Sequence, residues 1–217
     1  MPFQDRIQAG RALAGELAAR QREGGLPSPL ILALPRGGVP VAQEVSRELH
    51  APLDVLVVRK IGAPFNPEFA VGAVTGEEEP FYDEQSLEML GLSPGDMAAE
   101  ASRQREELRR REDLYRQGRP PPDVRGRTVV LVDDGLATGS TARVALRAVR
   151  RRGPDRLVLA VPVGSPQAVS ALRPEADETV CLEQPPSFHA VGQFYADFAQ
   201  VGDAEVTEIL RNALSTH

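Results

Sequence analysis

The chain has 217 residues, 41% hydrophobic and 26% charged, with a formal net charge of −6, no tryptophan and one cysteine; this suits one globular domain with a full core. No apolar run reaches transmembrane length and the N-terminus lacks a signal-peptide pattern, so no membrane partner is expected. Cys181 alone excludes an internal disulfide framework or a thiolate metal site and fits the cytoplasm, His50, His189 and His217 are too scattered for zinc, and the negative charge with few aromatics speaks against broad nucleic-acid binding.

Residues Asp5 to Gln21 carry Ile7, Leu13 and Leu17 among alanines and charges, which predicts a leading amphipathic helix. Leu30–Leu34 reads as a strand that stops at Pro35-Arg36-Gly37-Gly38. Val39–Leu49 follows as a helix with Val41, Val45 and Leu49 on one face. Pro52 introduces a second strand, Leu53–Val58, and a shorter extended run, Ala70–Thr75, follows a loop rich in Gly and Pro. The acidic segment Glu77–Leu92 shows no dominant period. Pro94 opens a long helix to about Gln117, supported by Arg and Glu pairs, and Pro120-Pro121-Pro122 ends it.

Val129–Val132 is an apolar run that reads as a buried strand. A helix from about Ser140 to Arg152, a strand at Arg156–Val163, a short helix at Pro166–Leu172 and a strand at Glu178–Leu182 complete the pattern. Alternating strands and helices predict an α/β fold with a parallel sheet. In such sheets ligands collect beyond the carboxyl ends of strands. Arg36, Arg59, Lys60, Asp133, Asp134 and Gly164 are all expected at or just past such ends.

Three segments carry chemistry. Val129–Thr141 runs from strand to paired carboxylates, Asp133 and Asp134, then to a turn and Thr138-Gly139-Ser140-Thr141 ahead of a helix. Orphan N–H groups at a helix start favour a phosphate, and the acids suit vicinal hydroxyls or a divalent cation. Asp-Asp-Gly alone is a turn and Thr-Gly-Ser-Thr alone a cap, but paired half-buried acids are costly unless something uses them. Leu34–Pro40, LPRGGVP, offers two glycines for close backbone approach and Arg36 as a fork of donors for a diphosphate; it lacks the Gly-Lys-Ser/Thr ending of a Walker A loop. Val57–Gly72 places Arg59 beside Lys60, which is the one lysine among 25 basic residues.

The segment VVLVDDGLATGST resembles the ribose-phosphate signature of the type I phosphoribosyltransferases, and LPRGGVP looks like that family's pyrophosphate loop. The resemblance implies a Rossmann-like parallel-sheet core with helices on both faces and a small hood or C-terminal appendage. It implies 5-phosphoribosyl-1-pyrophosphate as co-substrate, Mg2+, a nucleobase or similar amine as acceptor, and a homodimer. Asp133 and Asp134 would hold the ribose hydroxyls and the metal, and Ala137, Thr138, Gly139, Ser140 and Thr141 would cradle the 5′-phosphate. Pro35, Arg36, Gly37 and Gly38 would meet the diphosphate, with Arg36, Arg59 and Lys60 stabilising its departure. The whole span 1–217 is expected as a single domain, with its core at about 28–183, a helical insertion at about 93–118 and a C-terminal strap at 184–217.

Ala137 stands where the 6-oxopurine transferases carry an aspartate, which disfavours guanine or hypoxanthine by that route. Either Gly62–Phe69 or Gly76–Leu92 is the expected mobile loop. Phe188, His189 and Tyr195 either cover the base or pack the strap onto the core, and Gly164 and Ser165 either neighbour the ligand or only start a helix. The Arg-rich run Arg103–Arg119 is interleaved with Glu106, Glu107, Glu112 and Asp113 and reads as a solvated helix. A non-catalytic regulator that senses phosphoribosyl pyrophosphate or binds RNA, a pyrophosphokinase-like enzyme and a phosphohydrolase are the rival readings.

Overall fold

The computed structural model describes residues 2–76 and 78–215; Met1, Glu77, Thr216 and His217, which fall within the expectations above, lie outside the described residues. In chain order the elements begin with α1 (Arg6–Arg22), β1 (Pro29–Ala33), α2 (Gly38–Leu49), β2 (Leu53–Val55), β3 (Val58–Ala63), β4 (Asn66–Thr75), β5 (Phe81–Tyr82), α3 (Glu84–Leu90) and α4 (Ala98–Arg116). They continue with β6 (Thr128–Val132), α5 (Ser140–Arg151), β7 (Arg156–Val163), α6 (Pro166–Leu172), β8 (Glu178–Glu183) and α7 (Asp203–Leu214). Two compact units result, one formed by the chain up to Leu56 together with the chain from Pro120 onward, the other by Val57–Arg119.

The first unit holds a five-stranded sheet in the order β2-β1-β6-β7-β8, and every pairing in it is parallel. The strands are apolar because both faces are covered: Val129 to Val132 are fully buried, as are Leu157 to Val161. From β1 the chain crosses through α2 to β2 on one side, whereas from β6 it crosses through α5 and α6 to β7 and β8 on the other. Right-handed crossovers in opposite directions put α2 on one face and α5 and α6 on the other. The order therefore reverses between β1 and β6, the place where such sheets open a crevice.

Local chemistry explains the helices that frame this crevice. The Asp5 carboxylate accepts from the Gln8 N–H at 2.8 Å and starts α1. Ala9, Leu13 and Leu17 are buried along one stripe, and α1 packs on α2. Gly10 permits that closeness, since a Cβ there would lie 2.8 Å from the Val41 carbonyl oxygen. In α5, Ala142, Ala145, Leu146 and Val149 face inward while arginines face out. The last helix, α7, has no counterpart in the sequence expectations; it buries Val206, Ile209 and Leu210.

In the second unit β3 and β4 form an antiparallel hairpin with β5 added at its edge. Leu108 and Tyr115 bury one side of α4. Its outer charges pair along the helix, Arg110 and Arg111 with Glu107 and Arg116 with Glu112. Two sequence expectations need correction here. Leu53–Val58 is not one strand: β2 ends at Val55, and Val58 begins an antiparallel strand of the other unit. Gly62–Phe69 is largely strand rather than open loop: Gly62 and Ala63 end β3 and Asn66 to Phe69 begin β4, with an irregular register between them.

Leu131 sits at the centre of the buried sheet. Leu131→Ala is expected to cost about 2–5 kcal/mol, measured as a lowered urea midpoint with an unchanged slope.

Candidate active site

The site is built where β1 and β6 end side by side. Ala33 and Val132 are register partners, and the Leu34 N–H donates to the Val132 carbonyl at 2.9 Å, so the two following loops emerge level with each other. Pro35, Arg36, Gly37 and Gly38 come from one strand and Asp133 and Asp134 from the other. The Pro35–Arg36 peptide bond is cis. A Cβ on Gly38 would stand 2.8 Å from the Val132 oxygen and 3.0 Å from the Asp133 Cα, and one on Gly37 would stand 2.1 Å from Asp134 Oδ2. Only glycine lets the first loop lie directly on the acid pair. Arg36 is half-exposed, 3.7 Å from the Asp203 carboxylate at the start of α7.

The two acids differ in their partners. Asp133 Oδ1 accepts from the Asp134 N–H at 2.8 Å. Burial, reinforced by the negative charge of Asp134, pushes the Asp133 carboxyl well above the usual carboxylate range. Asp134 is also raised by burial, but Arg6 pulls against that shift. Arg6 donates from Nε to Asp134 Oδ2 at 3.0 Å and from Nη1 to the Ala199 carbonyl at 2.6 Å. Its guanidinium lies 3.9 Å from the centroid of the Phe198 ring, and only 12% of the Arg6 side chain and 13% of the Asp134 side chain are exposed. Tyr195 donates its hydroxyl to the Asp134 carbonyl at 2.6 Å.

The loop after the acids leads to a helix start. Leu136 is tied to β7 through its N–H, which donates to the Val163 carbonyl at 3.0 Å. The Ser165 hydroxyl donates to the Ala137 carbonyl at 2.8 Å and accepts from the Ala168 N–H at 3.1 Å, so Ser165 both starts α6 and steadies the loop. Ala137, Thr138, Ser140 and Thr141 are exposed. Gly139 stands at the N-cap of α5 with φ 76° and brings no side chain to the first turn. The Thr138 hydroxyl donates to Ser140 Oγ at 3.2 Å. An exposed, hydroxyl-lined N-terminus of a twelve-residue helix suits a phosphate dianion.

The structure thus brings Pro35 to Gly38, Asp133, Asp134 and Ala137 to Thr141 to one end of one sheet. Arg59 and Lys60 do not stand at the carboxyl end of a parallel strand as expected; they belong to β3 of the Val57–Arg119 unit. There Arg59 donates to Gln104 Oε1 at 3.0 Å, and burial with Arg111 nearby lowers its pKa. Tyr195 and Phe194 are buried with Phe3 in a small core, against which Phe188 packs, while His189 is exposed. Val191 covers Gly135, where a Cβ would meet it at 2.5 Å. Sequence reasoning missed Arg6 and the polar task of Tyr195, because their links to Asp134 span 128 and 61 residues.

Residues 4–199 match the phosphoribosyl transferase domain family. The chain is 48% identical to the protein TT1426 from Thermus thermophilus, whose crystal structure superposes with a TM-score of 0.87 over 98% of this chain and 99% of that one. It is 46% identical over 211 residues to a provisionally named phosphoribosyl transferase of Mycobacterium tuberculosis, covering 97% of this chain and 47% of that protein. The chain therefore spans about half the length of that relative. A uracil phosphoribosyltransferase of Lactobacillus gasseri is 35% identical over 86 residues, 38% of this chain and 41% of that enzyme.

The raised acids set a pH dependence. Because the folded pair keeps protons to higher pH than the unfolded chain, the folded state binds more protons between the ordinary and the raised pKa. Stability therefore falls as pH rises through that window, and the penalty is complete above it. Asp133→Asn removes the ionisable group, so its melting temperature is expected to exceed that of the unaltered protein by a margin that grows as pH rises above the ordinary carboxylate range. The gap should close towards pH 4. Parallel melting curves across that range would contradict it.

Proposed function

The chain belongs to the phosphoribosyl transferase family, and from that premise we propose that it transfers a 5-phosphoribosyl group from 5-phosphoribosyl-1-pyrophosphate to a nitrogenous base and releases pyrophosphate. The observation that carries this reading is the acid pair at the crevice between β1 and β6, flanked on one side by a glycine loop and on the other by an open helix start. Asp133 and Asp134 present carboxylate oxygens to two vicinal ribose hydroxyls, which are hydrogen-bond donors. Thr138 to Thr141 hold the 5′-phosphate with backbone N–H groups and hydroxyls. The Pro35–Gly38 loop lets the diphosphate approach the backbone, and Arg36 supplies charge to it.

The donor set fits Mg2+. The described residues include no cluster of three or more His, Cys, Asp or Glu side chains able to hold a metal alone. Magnesium is commonly held by one or two carboxylates together with substrate phosphates and water, and Asp133 and Asp134 are hard oxygen donors of that kind. When bound, the ion supplies positive charge to the departing diphosphate.

As the bond from the ribose anomeric carbon to the diphosphate oxygen lengthens, the electron pair leaves with the diphosphate and positive character grows on the ring. The base nitrogen then closes its new bond to that carbon and gives up its proton to the released diphosphate or to water. Carboxylates that hold the ribose hydroxyls would balance that positive charge, and orientation by the phosphate and hydroxyl contacts would lower the barrier without a protein nucleophile. Ala137 brings no proton-carrying side chain to the base, which disfavours the 6-oxopurines. The stretch shared with a uracil phosphoribosyltransferase makes uracil the first acceptor to try, and a homodimer is the expected assembly.

Pyrophosphate release, measured with phosphoribosyl pyrophosphate, Mg2+ and a panel of bases led by uracil, tests the reading. Release with one base, and a drop of at least about 100-fold in Asp133→Asn/Asp134→Asn, is the expected result. Tight binding with no release for any base would favour a non-catalytic sensor, and no binding would sink the phosphoribosyl assignment.

A further inference from the structure

Asp134 is the most heavily tethered group in the site, and its tethers come from parts of the chain that the ribose-phosphate signature does not include. Arg6, the first residue of α1, bonds its Oδ2. Tyr195 bonds its main-chain carbonyl. Arg6 is in turn fixed from behind by the Ala199 carbonyl and the face of Phe198, and Phe198 stacks on Tyr195 with ring centroids 5.0 Å apart. Tyr195 also meets Phe3 at 5.7 Å. Gly37 closes the other side: the same Cβ position that would collide with Asp134 Oδ2 lies 3.4 Å from Arg6 Nε.

This arrangement exceeds what packing requires. A buried aspartate needs a counter-charge, but a lysine or a water-mediated contact would provide one. Here a planar guanidinium is held in three directions, by a carboxylate, a carbonyl and an aromatic face, and the tyrosine hydroxyl separately fixes the backbone that carries the carboxylate. Side chain and main chain of Asp134 are thus pinned independently, which leaves the carboxylate little freedom to reorient.

We propose that Arg6 and Tyr195 are positioning residues for the sugar: they aim the Asp134 carboxylate so that the site reads ribose hydroxyls. The inference rests on the phosphoribosyl reading of the site. A carboxylate fixed for hydrogen bonding rejects a ligand that lacks the matching hydroxyl, because a buried acceptor is then left unpaired. A carboxylate free to swing towards water loses that discrimination.

The test is calorimetric binding of ribose 5-phosphate and 2-deoxyribose 5-phosphate to the full chain in EDTA, so that neither metal nor turnover enters the readout. The unaltered protein should prefer ribose 5-phosphate. Arg6→Gln should weaken ribose 5-phosphate about 10-fold and the deoxy sugar about 2-fold or less, flattening the preference. Arg6→Lys should recover part of it, since charge returns without the fork. Tyr195→Phe, which keeps the ring packing, should shift the ratio in the same direction by about 3-fold. Equal weakening of both sugars in Arg6→Gln and Tyr195→Phe would mean general loosening and overturn the inference, as would unchanged binding of both. An unaltered protein that binds neither sugar phosphate nor phosphoribosyl pyrophosphate would sink the parent reading and this one together; normal binding by the unaltered protein with indifferent variants would sink this one alone.

Discussion

Asp133 and Asp134 stand half-buried and adjacent, and withdrawing a carboxylate from water costs several kcal/mol unless charge or hydrogen bonds replace the solvent. Much of the first unit answers that demand. The parallel sheet delivers the acids at the reversal between β1 and β6. Gly37 and Gly38 give up side chains so that the neighbouring loop can lie on them. Arg6 supplies the counter-charge to Asp134, whereas Asp133 receives a backbone N–H and, among the described residues, no ion-pair partner of its own. On the proposed reading, the residual penalty on Asp133 is that of a group kept for a ligand rather than for the fold, since cores gain nothing from an uncompensated acid.

How much of this was legible depended on distance along the chain. The buried strand Val129–Val132, the acids at its end and the hydroxyl-rich helix start are contiguous, and their order in sequence is their order in space. The helices were legible for the same reason, from stripes such as Val41, Val45 and Leu49. The break between β2 and β3 was not, because Leu53 to Val58 is one unbroken apolar run apart from Asp54 and carries no Gly or Pro where the chain passes from one unit to the other. Arg6 was hidden by its setting. On an amphipathic helix rich in charge, an arginine reads as a solvated surface group, and only the folded chain shows it over Phe198. Helix α7 left a signal in Val206, Ile209 and Leu210 at helical spacing, but the aromatic cluster just before it suggested an extended strap.

On the proposed reading, the phosphate side and the sugar side of the site are supported by different means. Ala137 is held by Ser165 from the β7–α6 turn, so the phosphate loop depends on the neighbouring strand of the same sheet. The acid pair depends on segments outside the sheet altogether, α1 and the stretch from Val191 to Ala199. One half of the crevice is thus a property of the parallel sheet, and the other half is added to it by elements that a bare sheet would lack.

That division has a consequence for how the protein is made. On the ribosome the chain emerges from its N-terminal side, so Arg6 is available long before Asp134 is synthesised, and the sheet from β1 to β8 is complete by Glu183. The ring and carbonyl that seat Arg6, at Phe198 and Ala199, appear only afterwards. The strand that delivers Asp134 therefore precedes, in order of synthesis, the segment that anchors its Arg6 partner. On the phosphoribosyl reading, the aim of the Asp134 carboxylate is thus set by residues made after the strands that deliver it.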